Sequence, residues 1–113
     1  MSQLTAQHRL AIYGTLAPGE TNHHQVSMIE GAWLRGTVRG WLSAEGWGLT
    51  FGFPGMKLDS EGDLIQVLVL ESSELPDHWD RLDAFEGEEY ERVETCVETP
   101  NGRIRACVYV VKG

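Results

Sequence analysis

Basic residues are scarce in this chain, nine lysines and arginines against seventeen aspartates and glutamates, and they are scattered rather than clustered. A protein that neutralises phosphates needs a basic face, so a net charge of −8 argues against a nucleic-acid partner. The acidity by itself is a solubility feature. Long apolar runs are also missing: no stretch approaches the roughly 20 residues of a membrane span, and Met1-Ser2-Gln3-Leu4-Thr5 lacks the basic-then-apolar layout of an export signal. The expected location is the cytoplasm, with no membrane partner. Cysteines number two, too few for a disulfide framework, so reduced packing thiols are expected. His23 and His24 are adjacent, and neither His8 nor His78 forms a ligand spacing with them. With no phosphate-loop or dinucleotide fingerprint either, no metal and no cofactor is expected.

What is present suits one compact domain over residues 1–113, long enough to bury roughly two-thirds of its unfolded surface but too short for a second core. One site is therefore expected. Arg9 to Tyr13 reads as a strand ended by Gly14, and Asn22 could cap a helical turn over His23 to Met28. Between Gly31 and Leu42, Gly36 and Gly40 among Trp33, Val38 and Trp41 suggest bent or bulged strands. The glycine-rich stretch 43–62, with Trp47, Phe51 and Phe53, reads as an irregular loop used either for binding or as a plain linker. The apolar run Leu64 to Leu70 fits a central strand.

A helix follows, with Ser73 as N-cap, Pro76 in its first turn and Gly87 as a left-handed terminator after Glu86. Residues Arg92–Glu98 and Ile104–Val110 then alternate as a hairpin around Asn101-Gly102, which places Glu98 opposite Arg105 and Cys96 opposite Cys107. These elements predict an α+β fold: a small, strongly curved sheet or barrel with helices packed at its side. No repeat, low-complexity tract or linker interrupts it, and nothing in the sequence sets an oligomeric state.

Glu86 is the most informative position. Leu75, Trp79, Leu82 and Glu86 follow a four-three-four spacing, which puts a carboxylate on an otherwise apolar helix face. Burial there, and the negative end of the helix dipole, both disfavour its charge and raise its pKa, as acid-base chemistry near neutral pH requires. The plainer alternative is a glutamate fraying into solvent from the last turn. Asp83, Glu88, Glu89 and Glu91 read as solvated charge. Tyr13-Gly14-Thr15-Leu16 ends a strand with amides that can converge on an anion, although a simple turn explains the same residues.

Tyr13-Gly14-Thr15-Leu16-Ala17-Pro18-Gly19 with Asn22-His23, and Leu82-Asp83-Ala84-Phe85-Glu86-Gly87 with Tyr90 and Arg92, resemble in order and spacing two segments of the gamma-glutamylcyclotransferase-like family, which includes AIG2-like proteins and gamma-glutamylamine cyclotransferase. The resemblance covers nearly the whole chain. It implies a small mixed barrel with flanking helices, and a cavity in which Tyr13, Gly14, Thr15 and Leu16 hold a small gamma-glutamyl substrate beside Glu86. It further implies release of 5-oxoproline and a free amine or peptide. Arg92 could pair with a carboxylate, although on the hairpin parity Tyr90 and Arg92 brace Glu86 or point outward. The alternative is a non-catalytic small-molecule-binding or scaffold protein of the same fold. A third reading, an interaction module, would use Trp47, Phe51 and Phe53.

Overall fold

The computed structural model describes residues 4–13, 23–43, 55–88 and 90–112. Six strands, β1 (Arg9–Ile12), β2 (Ala32–Ser43), β3 (Gly55–Leu58), β4 (Asp63–Glu71), β5 (Tyr90–Thr99) and β6 (Gly102–Val111), are joined by one helix, α1 (Trp79–Glu86). Short 3-10 turns span Ala6–His8, His23–Gln25 and Leu75–His78. The strand order is β3-β2-β4-β1-β6-β5, and a β2–β5 pairing at Thr37 and Glu98 closes β2, β4, β1, β6 and β5 into a five-stranded barrel with β3 as an extra strand. β1 runs parallel to β6 and antiparallel to β4, so the barrel is mixed, as the family resemblance implies.

Side-chain alternation along the strands divides the interior into two cores. Ala11, Val67, Val69, Ala106, Val108 and Val110 point into the barrel, where they meet Val38, Met56 and Val97. Their neighbours Leu10, Ile12, Leu70, Cys107 and Tyr109 face outward and are covered by Leu75, Trp79 and Leu82. The helical layer thus lies over β1, β4 and β6, the strands with apolar residues on both faces. The strand expected at Leu64 to Leu70 is internal to the sheet, between β2 and β1.

Residues 32–43 form one twelve-residue strand rather than several bent pieces. Its length lets it serve three partners, pairing with β4, β3 and β5 in turn. Gly36 sits where β2 meets β5: a Cβ there would lie 2.5 Å from Val97 Cγ1 and 2.9 Å from the Glu98 carbonyl oxygen. The glycine permits closure by removing a side chain from the crossing. Gly36→Ala is therefore expected to destabilise the barrel by about 2 kcal/mol through overpacking, read as a lower midpoint in chemical denaturation. The stretch 43–62 is also more regular than expected, since Gly55–Leu58 pairs with Gly40 to Ser43 as β3. Four residues flanked by glycine and proline carry too little periodicity to mark a strand.

Two caps differ from the sequence reading. Ser72, not Ser73, accepts the Glu74 amide at 3.1 Å, while its own hydroxyl donates to the Glu30 carbonyl. Pro76 lies in the 3-10 turn that precedes α1, and Gly87 ends α1 with φ of 89°, its amide donating to the Asp83 carbonyl at 3.1 Å. Its ψ of −179° lies outside the left-handed helical region, although the positive φ still favours glycine.

The hairpin register is displaced by two residues. Thr99 pairs with Gly102, Glu98 with Arg103, Cys96 with Arg105 and Glu94 with Cys107, so the turn residues are Pro100 and Asn101. An Asn-Gly turn of the expected kind needs positive φ at Asn101, whereas among the described residues positive φ occurs only at Gly87 and Gly102. Proline with its fixed φ suits the second position of an ordinary turn, and Thr99 Oγ1 accepts the Asn101 amide at 3.2 Å. The cysteines are consequently not cross-strand partners: Cys96 is exposed, while Cys107 is buried and its thiol is pushed up to about 11, chiefly by burial.

Candidate active site

Glu86 occupies the last position of α1, one residue before the Gly87 stop. Leu75, Trp79 and Leu82 are buried in the outer core, as their spacing predicts, and Phe85 packs against the same cluster. Glu86 is half-buried, and burial raises its carboxyl group from about 4.5 to about 7. Loss of hydration disfavours the carboxylate, which is the direction expected from its helical phase.

Tyr13 lies just beyond the end of β1, packed against the inner core. Its hydroxyl donates to the Tyr109 carbonyl at 2.7 Å. Its phenol is held well above the ordinary tyrosine range by burial first, then by the nearby charges of Glu86 and Tyr90; the Met56 amide works in the other direction. Tyr13, Glu86 and Tyr90 therefore share one electrostatic neighbourhood. Gly14, Thr15 and Leu16, the rest of the expected cradle, lie outside the described residues, as do Asn22, Trp47, Phe51 and Phe53.

Tyr90 is buried at the start of β5, and its amide donates to the Gly87 carbonyl at 3.3 Å. Arg92 faces α1: its guanidinium lies 4.2 Å from the centroid of the Trp79 ring, and Nη2 lies 3.6 Å from Asp83 Oδ2. This places Arg92 against the helix that carries Glu86.

Two residues escaped the sequence reading. Asp83 is not merely solvated: its Oδ1 accepts a 2.6 Å hydrogen bond from the Tyr109 hydroxyl, and it pairs with Arg92. Its place one helical turn after Trp79 was the available signal. Tyr109 is buried on β6, with its ring edge-on to Trp79 at 6.5 Å between centroids. Burial, then the hydrogen bond to Asp83, pushes its phenol far above the ordinary range, so it stays a donor. Strand alternation sets Tyr109 on the face opposite Val108 and Val110 and carries no sign that its hydroxyl has a partner on the helix. Glu88 and Glu91 are exposed, as expected.

A cavity of about 430 Å³ adjoins this cluster, lined by residues that include Asp83, Gly87, Tyr90, Arg92 and Tyr109. A second, of about 400 Å³, lies across the barrel closure near Thr37, Arg39, Cys96 and Arg103. Neither of these two is lined by Tyr13 or Glu86. Among the described residues no helix is long and apolar enough to cross a membrane.

The comparisons agree on the fold. YkqA from Bacillus subtilis aligns with a TM-score of 0.72 and 29% identity over 93% of this chain, which spans only 36% of that protein. A mouse (Mus musculus) AIG2-like protein aligns with a TM-score of 0.69 and 22% identity, covering 92% of this chain and 76% of its own. A protein from Pyrococcus horikoshii gives 0.60 and 20%, covering 93% and 78%. No curated protein matches significantly. The model of the family described as gamma-glutamyl cyclotransferase, AIG2-like, matches residues 10–113, and this chain belongs to that family.

Proposed function

We propose that this chain is a gamma-glutamylcyclotransferase-type enzyme that converts a gamma-glutamyl amine or peptide into 5-oxoproline and a free amine, with Glu86 as general acid and base. The observation that carries this reading is a half-buried carboxyl group raised to about 7 beside Tyr13, at the end of α1 in a chain whose residues 10–113 match the family model. A free α-amino group titrates near about 8, so a glutamate with that affinity for protons is matched to it. The α-amine of the substrate attacks its own γ-carbonyl carbon. A ring C–N bond forms, the bond to the leaving nitrogen breaks, and the proton lost by the α-amine passes through Glu86 to the departing amine. No external group is consumed.

Because nucleophile and electrophile belong to one molecule, holding the substrate folded supplies much of the acceleration. Tyr13, whose phenol stays uncharged and donates to Tyr109, would form one wall. Amides of Gly14, Thr15 and Leu16 would receive the substrate carboxylate or the developing oxyanion. Arg92 and Tyr90 brace the helix end rather than contact substrate, consistent with the stacking of Arg92 on Trp79 and the Tyr90 amide bond to Gly87.

The test is a panel of gamma-glutamyl amines, gamma-glutamyl-lysine compounds and gamma-glutamyl peptides, with 5-oxoproline measured directly. Release from at least one class is expected. Compounds that raise the melting temperature yet are recovered unchanged would point instead to a binding protein of the same fold.

A further inference from the structure

We infer that Tyr109 is a positioning residue that sets the placement of Glu86 relative to Tyr13, its hydroxyl tying α1 to β6 and its carbonyl tying Tyr13 to the same strand. Its side chain reaches outward to Asp83 Oδ1 at 2.6 Å, and its carbonyl oxygen accepts the Tyr13 hydroxyl at 2.7 Å. One residue therefore touches both groups whose separation the chemistry depends on: Tyr13 directly, and the turn of helix that bears Glu86 through Asp83. This inference rests on the proposed role of Glu86.

The helix needs such a tether. With eight residues, α1 is too short to hold its last turn by its own hydrogen bonds. β6 is a firm reference, paired with β1 on one side and β5 on the other. A hydroxyl donating to a carboxylate at this length is among the stronger hydrogen bonds. The second Asp83 oxygen lies 3.6 Å from Arg92 Nη2, and Arg92 is itself stacked on Trp79, so β5 and β6 grip the same carboxylate. Asp83 is three residues before Glu86, and its carbonyl also accepts the Gly87 amide that ends the helix.

Glu86 lies within electrostatic reach of Tyr13 from the end of β1 and Tyr109 from β6; Tyr90 from β5 acts on Tyr13, and Asp83 and Arg92 act on Tyr109. Tyr109→Phe removes one hydroxyl and leaves these charges, the ring against Trp79 and the carbonyl that holds Tyr13. Any change at Glu86 then comes from a loosened, wetter helix end. The experiment is titration of the Glu86 carboxyl by carbon NMR in the wild type and in Tyr109→Phe, with a Glu86→Gln spectrum for assignment.

The expected result is a midpoint lowered by about one pH unit as hydration returns. In an active chain kcat should fall about tenfold with little change in KM, as for a misplaced catalytic group. Asp83→Asn, which keeps an acceptor oxygen, should move the midpoint less than Asp83→Ala. An unmoved midpoint in Tyr109→Phe overturns the inference, whatever happens to the melting temperature. A midpoint that moves in a chain that releases no 5-oxoproline upholds the tether and defeats the enzyme reading instead.

Discussion

Glu86→Gln is expected to reduce 5-oxoproline release by about 10²–10⁴-fold, the usual contribution of a positioned acid-base group. Glutamine has nearly the shape of the protonated glutamate but can neither take the α-amine proton nor return it. The packing of Leu75, Trp79 and Leu82 beneath the helix is unaffected, so circular dichroism and the cooperative melt should be retained. In the wild type kcat/KM should fall as pH drops below about 7, because the base must be unprotonated and burial holds its pKa there. A variant keeping more than a tenth of wild-type turnover would remove Glu86 from the chemistry.

The second large effect concerns stability. An ordinary glutamate loses its proton near 4.5, and folded Glu86 near 7, so between these values the native chain binds more protons than the unfolded one. Stability therefore falls as pH rises through this window: the contribution of Glu86 is fully present below about 4.5 and lost above about 7. At about 1.4 kcal/mol per pH unit, the loss is on the order of 3 kcal/mol. Other carboxylates add their own dependence, so the quantity to measure is the difference between wild type and Glu86→Gln in urea denaturation at a series of pH values. Glutamine carries no such penalty, and the variant should gain relative to the wild type from about pH 5 upward, with the gap levelling off near pH 8. Parallel curves would mean that the carboxylate is hydrated in the folded state.

Both expectations start from the phase of one helix, which was legible in the chain. Apolar residues at Leu75, Trp79 and Leu82 define a face, and Glu86 falls on it whether the first turn is α-helical or, as found at Leu75–His78, 3-10. Strand faces were equally legible. Ile104, Ala106, Val108 and Val110 alternate with polar or outward-facing neighbours, and all four join the inner core.

The hairpin shows where legibility stops. A slip of two residues, from Cys96 opposite Cys107 to Glu94 opposite Cys107, leaves every side chain on the same face. Hydrophobic patterning cannot detect it. The choice fell to the turn, where Pro100 with negative φ and Gly102 with positive φ made Pro100-Asn101 the loop. Asp83 was misread for a related reason: its charge groups it with the exposed Glu88 and Glu91, while its partners Tyr109 and Arg92 arrive from strands that follow the helix.

Local chemistry in the chain thus established which strand and helix faces are apolar, that α1 ends before Gly87 and that Glu86 falls on the apolar face of that helix. Those properties depend on side-chain periodicity and on residues within a turn or two of one another. Tertiary structure decided the barrel closure at Gly36, the strand at Gly55–Leu58, the hairpin register and the Asp83–Tyr109–Tyr13 chain of contacts. Each joins groups far apart in sequence or selects among pairings of equal hydrophobic parity, and only the assembled barrel distinguishes them.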